Sequence, residues 1–202
     1  MKKKFLFYSI NTIRKKYPYY SKEKIEEIEY GIEALYITIT KMIVIAIISI
    51  FLGVIKEVLL ILIFYNILRT TAFGMHAKTS LQCYIISTLL FIGTGLFSKY
   101  IDINIYAKII ISIICFIHII IFAPADTYKR PLINSKKRRT YKFMSIIISF
   151  IYVILIIMFN NNIMTTYMLF GLIDSTLMIH PLTYRMFQLP YNNYKNYNEY
   201  YN

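Results

Sequence analysis

Long isoleucine-rich runs with no charge inside them constrain this chain more than any other feature. The run from Ile109 to Ala123, Ile-Ile-Ile-Ser-Ile-Ile-Cys-Phe-Ile-His-Ile-Ile-Ile-Phe-Ala, is one of several. Of the 202 residues, 57% are hydrophobic, and the charged residues are concentrated between the runs. A soluble core alternates polar and apolar positions along each element. Unbroken apolar stretches instead point to helices whose outer faces meet lipid.

Six apolar segments are read, at 34–55, 58–68, 81–97, 103–123, 143–159 and 163–181. Most approach the roughly 17–25 residues that a helix needs to cross a bilayer. The expected class is therefore all-α, a polytopic membrane protein with about six spans. The segment 58–68 is too short to cross as a straight helix. It must extend into the polar residues that follow, re-enter, or be shielded by its neighbours. The expected organisation is a basic amphipathic region at 1–33, a multi-span membrane domain at 34–182 and an Asn/Tyr-rich tail at 183–202. Within the first region, Leu6, Ile10 and Ile13 share a helical face opposite basic residues. Pro18 divides it, and Ser21 can cap a second helix. The tail from Tyr191 reads as low-complexity and disordered.

The formal net charge is +13. Basic residues crowd the N-terminal region, the 69–80 island, the 129–142 connection and the tail. The alternate connections hold little charge. Basic connections stay on the cytoplasmic side, so both termini are expected inside the cell membrane. No nucleic-acid motif accompanies the charge, and nucleic-acid binding is not expected. The basic loops would instead meet the anionic inner leaflet. More than thirty mostly polar residues precede the first run, so a cleaved leader is not expected. Three scattered histidines form no zinc motif, and neither metal nor cofactor is expected.

The chemically densest stretch is the polar island Arg69-Thr-Thr-Ala-Phe-Gly74-Met-His76-Ala-Lys78-Thr-Ser80-Leu-Gln-Cys83. Thr79 and Ser80 are both natural N-caps for the helix that begins near Leu81; if Ser80 is the cap, Cys83 falls at the third helical position. There the helix dipole favours a thiolate, and Lys78 and Arg69 add to that field. His76 could take the thiol proton. The two residues are seven positions apart, about 10 Å on a straight helix, so a dyad needs a looped backbone between them. Gly74 permits one. Spacing alone also fits an incidental pair. A competing pair, Cys115 and His118, shares one helical face but lies deep in an apolar run, where a helix–helix contact is the expected role. His180 reads as interfacial. Asp174, an acid inside the last span, reads as a functional site or as a hydrogen bond to a neighbouring helix. In the following loop, Asp126 could orient an imidazole or bind a basic peptide residue, and Lys129 and Arg130 could hold an acidic one.

These residues resemble the accessory gene regulator protein B family of Gram-positive bacteria, membrane cysteine endopeptidases of peptide quorum sensing. Arg69-x4-Gly74-x-His76-x6-Cys83 matches the family's signature order and spacing. Pro124-x-Asp126 with Pro131-Leu132 resembles its second loop, and the multi-span length fits as well. The resemblance implies that Cys83 is the nucleophile and His76 the general base. The implied substrate is an autoinducing-peptide precursor, cut at its C-terminal side through a thioester that an internal cysteine or serine then closes into a ring. It further implies that Arg69 and Gly74 support activity, Arg69 by orienting the peptide's acidic part, and that the protein is a homodimer. The alternative from the residues alone is a transporter or exporter of a peptide or small anion, with Asp174 on its path, or a sensor without chemistry.

Overall fold

The computed structural model describes residues 2–128, 131–159 and 161–197. It divides into two compact units, Met1–Ile48 and Ser49–Asn202. In the first unit, α1 (Lys2–Lys16) buries Leu6 and Ile10, as the amphipathic pattern requires. Lys2 Nζ pairs with Glu33 Oε1 at 2.7 Å. Ser21 Oγ accepts from the Lys24 N–H at 3.2 Å and caps α2 (Lys22–Phe51). α2 runs without a break through residue 34. The Glu/Lys turns and the apolar run that follows them form one 30-residue helix, because nothing between Ile25 and Phe51 breaks it.

The second unit holds α3 (Ile55–Ala72), α4 (Ser80–Tyr100), α5 (Ile105–Phe122), α6 (Ser135–Met158), α7 (Ile163–Ile179), the short α8 (Pro181–Met186) and a 3-10 turn at Asn193–Asn196. The protein is an all-helical membrane protein: among the described residues no strand forms beyond one isolated bridge. Four helices, α2, α4, α5 and α6, are long and apolar enough to cross a bilayer. Each shows large side chains outward; on α5 these include Ile110, Ile114, Ile117 and Ile121.

The remaining two segments behave differently. The short apolar run 58–68 extends at both ends into α3, 18 residues and about 27 Å long. It gains length by taking in Lys56, Glu57 and Arg69 near its ends. The 17-residue α7 is buried almost all round. These two helices pack on each other more extensively than any other pair. Gly171 makes the contact possible: a Cβ there would lie 2.8 Å from Phe64 Cβ and 2.9 Å from the Tyr65 nitrogen. Small residues allow this approach where lipid supplies no hydrophobic drive between helices. Polar contacts fasten the pair to its surroundings. Ser145 Oγ on α6 donates to Thr71 Oγ1 at 3.0 Å, and Tyr152 Oη donates to the Phe64 carbonyl at 3.0 Å.

The tail departs from the expected disorder over its described part. Tyr191–Tyr197 folds back on the second unit, with Asn193 buried.

Candidate active site

The island folds as a break between two helices. α3 ends at Ala72, residues 73–79 carry no helix, and α4 begins at Ser80. The looped backbone needed between His76 and Cys83 is therefore present. Arg69 holds it in place. Its Nη1 donates to the Phe73 carbonyl at 2.5 Å, and its Nη2 donates to the carbonyls of Gly74 at 3.2 Å and Met75 at 2.7 Å. These carbonyls lie beyond the last helical residue, Ala72, and a rigid guanidinium fork suits several at once. Tyr65, one turn earlier, lies under the same guanidinium at 5.8 Å. These donors of Arg69 thus serve the loop itself.

Gly74 has φ +120°, a region that side chains rarely occupy. A Cβ would collide with Arg69 Nη1 and sit 2.8 Å from the Met178 carbonyl oxygen. Its N–H donates to the Ala125 carbonyl at 2.8 Å, the Ala125 N–H donates to the Ala72 carbonyl at 3.0 Å, and the Met75 N–H donates to Met178 at 2.9 Å. The ends of α3 and α7 and the loop after α5 meet at this glycine.

A cleft of about 430 Å³ opens beside it, lined by Arg69, Gly74, His76 and Asp126 together with Asn66 and Thr127 among others. Four residues singled out in the sequence thus share one cavity. His76 is exposed to it. Cys83 is half-buried and sits in the first turn of α4, outside the cleft's lining. The cap is Thr79 rather than Ser80: its side chain accepts from the Gln82 N–H at 3.2 Å. Cys83 is therefore one position further into the helix than expected. Its own N–H already donates to the Thr79 carbonyl at 3.1 Å. The thiol still faces the positive end of the dipole. The Tyr65 ring meets Phe91 of α4 edge to face, 5.0 Å between centres, which ties the thiol's helix to the Arg69 side of the site. Lys78 is exposed in the loop. Lys129 and Arg130 lie outside the described residues.

Asp126 has a different set of partners from those considered in the sequence. Its carboxylate accepts from the N–H groups of Leu132 (3.2 Å), Asn193 (2.9 Å) and Tyr194 (2.8 Å), and from Asn193 Nδ2 at 3.4 Å. It clamps the tail to the loop. Tyr184 Oη donates to the Asp126 carbonyl at 2.9 Å from below. Burial pushes that phenol well above its ordinary value, against the opposing pull of Arg69, and it stays a neutral donor. Sequence reasoning missed Tyr65, Tyr184 and Asn193. Only Tyr65 left a trace, four positions before Arg69 on one helical face.

Each member of the competing pair has a partner of its own. Cys115 Sγ is buried and receives Thr176 Oγ1 at 3.6 Å, a contact between α5 and α7. His118 Nδ1 sits 3.0 Å from the Ile114 carbonyl, and its ring lies 5.3 Å from that of His180. His180 Nδ1 accepts from the Leu182 N–H at 3.1 Å and caps α8. Asp174 is fully buried, and Thr94 Oγ1 donates to its Oδ2 at 3.2 Å.

Comparison with known proteins identifies the family. The family model of accessory gene regulator B matches residues 8–181. This chain belongs to that family. It is 33% identical over 157 residues to the accessory gene regulator protein B of Staphylococcus aureus, covering 77% of this chain and 82% of that one. It is 29% identical over 168 residues to an AgrB-like protein of Clostridium acetobutylicum, covering 83% and 80%. A similar protein of Listeria welshimeri is 30% identical over 171 residues, covering 85% and 84%. No solved structure matches. AgrB membership gives the chain a role in the accessory gene regulator quorum-sensing system.

Proposed function

We propose that this AgrB-family protein is a membrane cysteine endopeptidase and cyclase acting on an autoinducing-peptide precursor. The observation that carries the reading is the break between α3 and α4. It puts His76 on a cleft walled by Arg69 and Gly74, with the Cys83 thiol in the first turn of the next helix.

In this reading His76 takes the Cys83 proton, and the thiolate attacks the carbonyl at the precursor's cleavage point. A carbon–sulfur bond forms. The C–N bond then breaks, and the leaving amine takes the proton back from His76. The acyl group remains as a thioester on Cys83. An internal cysteine or serine of the same peptide attacks that thioester, loses its proton to His76 and releases the Cys83 thiolate. The product is a thiolactone or lactone ring. Exclusion of water by the bound peptide would favour this internal attack over hydrolysis. Because apo geometry is often looser than the working complex, substrate would draw the thiol toward the cleft. Arg69 acts as a positioning residue by fixing the carbonyls of the loop that carries His76.

The basic connections support a cytoplasmic face for this site and both termini inside the cell membrane. We extend to this chain the family's homodimeric state. Co-expression with a candidate precursor tests the reading. Cleaved C-terminal fragment should appear with the native protein and vanish with Cys83→Ala or His76→Ala. A peptide adduct trapped on Cys115 instead would overturn the site.

A further inference from the structure

A second cleft lies in the same compact unit, at the loop end of α5 and α6, with a volume of about 380 Å³. Three cations line it: Arg138, Arg139 and Lys142 from the first turns of α6. Among the described residues no carboxylate lines it, and none of the three cations is in a salt bridge. Arg138 is already oriented. Its Nη1 donates to the Leu132 carbonyl at 3.1 Å, and its guanidinium stacks 3.8 Å from the centre of the Tyr194 ring. Arg139 and Lys142, three positions apart, present their charges on one side of α6.

The opposite wall is apolar. It includes Ile121 and Phe122, and Ile121 is 59% exposed. From Ile121 an outward apolar track runs along α5 through Ile117, Ile114 and Ile110. The tail completes the cleft with Tyr191 and Tyr194, Tyr191 Oη donating to the Phe122 carbonyl at 3.4 Å. The fitting ligand therefore carries a compact anion joined to a long apolar chain. A free phosphate would use the cations and leave the track bare. A hydrated acidic peptide would have no use for the track.

We propose that this cleft binds the headgroup of an anionic phospholipid, with the phosphate on Arg139 and Lys142 and an acyl chain along α5. Basic pockets between helices at a membrane surface suit such headgroups, and arginine matches phosphate geometry. Occupancy would fasten the tail to α5 and α6, next to the Asp126 loop. The site does not depend on the peptidase reading.

Native mass spectrometry of the full chain, purified in neutral detergent, reads the outcome directly. The protein should retain added phosphatidylglycerol in preference to phosphatidylcholine of the same chain length. Arg139→Gln with Lys142→Gln should lower that retention about tenfold or more. Lys136→Gln with Lys137→Gln removes the same charge from the same helix outside the cleft and should leave retention unchanged. Ile121→Ser, at the exposed end of α5, should also lower it with helix content unchanged by circular dichroism. Equal losses from both double variants would reduce the site to diffuse charge and overturn the proposal. So would equal retention of the two lipids, or displacement of the lipid by an equal concentration of glycerol phosphate.

Discussion

The chain contains two cysteine–histidine neighbourhoods, and they came apart in opposite ways. Cys115 and His118 are one helical turn apart in sequence, yet packing gives each a separate partner, Thr176 and His180. His76 and Cys83 are too far apart for one helix, yet a helix break places the first on a cleft and the second in the next helix's opening turn. Closeness along one apolar helix thus yields packing contacts. A polar interruption near the end of a span yields exposure, a dipole and a cavity, which chemistry requires.

The largest expected effect separates the two neighbourhoods. Precursor cleavage should fall by about three orders of magnitude or more in Cys83→Ala and stay within about twofold in Cys115→Ala, read by fragment yield at matched protein levels. Rapid labelling of Cys115 and slow labelling of Cys83 by a water-soluble maleimide would break the contrast. Next comes the backbone of the active neighbourhood. Gly74→Ala should lower turnover about tenfold or more, because the new Cβ meets Arg69 and Met178 at positive φ. Arg69→Lys keeps the charge but loses the fork, and its turnover should also drop while α3 stays folded by circular dichroism. Asp126→Ala should cost about 2–4 kcal/mol of stability by leaving the buried N–H groups of Asn193 and Tyr194 without their acceptor. A lowered melting temperature in detergent checks it.

The smallest effect belongs to the quiet neighbourhood. Burial, helped by His118, holds the His180 imidazole below its ordinary value, and its Nδ1 must keep a lone pair for the Leu182 N–H. An unfolded His180 takes up a proton near pH 6.5 while the folded one resists it. Stability is therefore full above about pH 6.5 and declines as the pH falls below it. Melting temperatures between pH 7.5 and 5.5 should show a shallow decline, and His180→Asn, which can still cap α8, should flatten it.

Much of this was legible before any coordinates. Apolar runs are a one-dimensional signal, so the helical class and the amphipathic N-terminal helix, with Leu6 and Ile10 on one face, could be read directly. The Arg69–Cys83 island announced itself by polarity and spacing. A count of about six spans rested on hydropathy alone, whereas α3 and α7 draw their burial from each other at Gly171, which no window average registers. Thr79 and Ser80 were both legible as caps for α4, and only backbone geometry chooses Thr79 between them. The partners of Asp126 were out of reach: Asn193 is 67 residues downstream, in a stretch whose composition reads as unstructured.

That long-range clamp has a consequence for biogenesis. The loop beside Gly74 is completed by residues made after the last long apolar helix, so a nascent chain can have those helices in place and still lack a finished cleft wall. A chain cut after residue 190 should therefore reach the bilayer yet fail to process any precursor, and a bulky fusion placed directly after Tyr197 should weaken it in proportion to how far it pulls Asn193 from its seat.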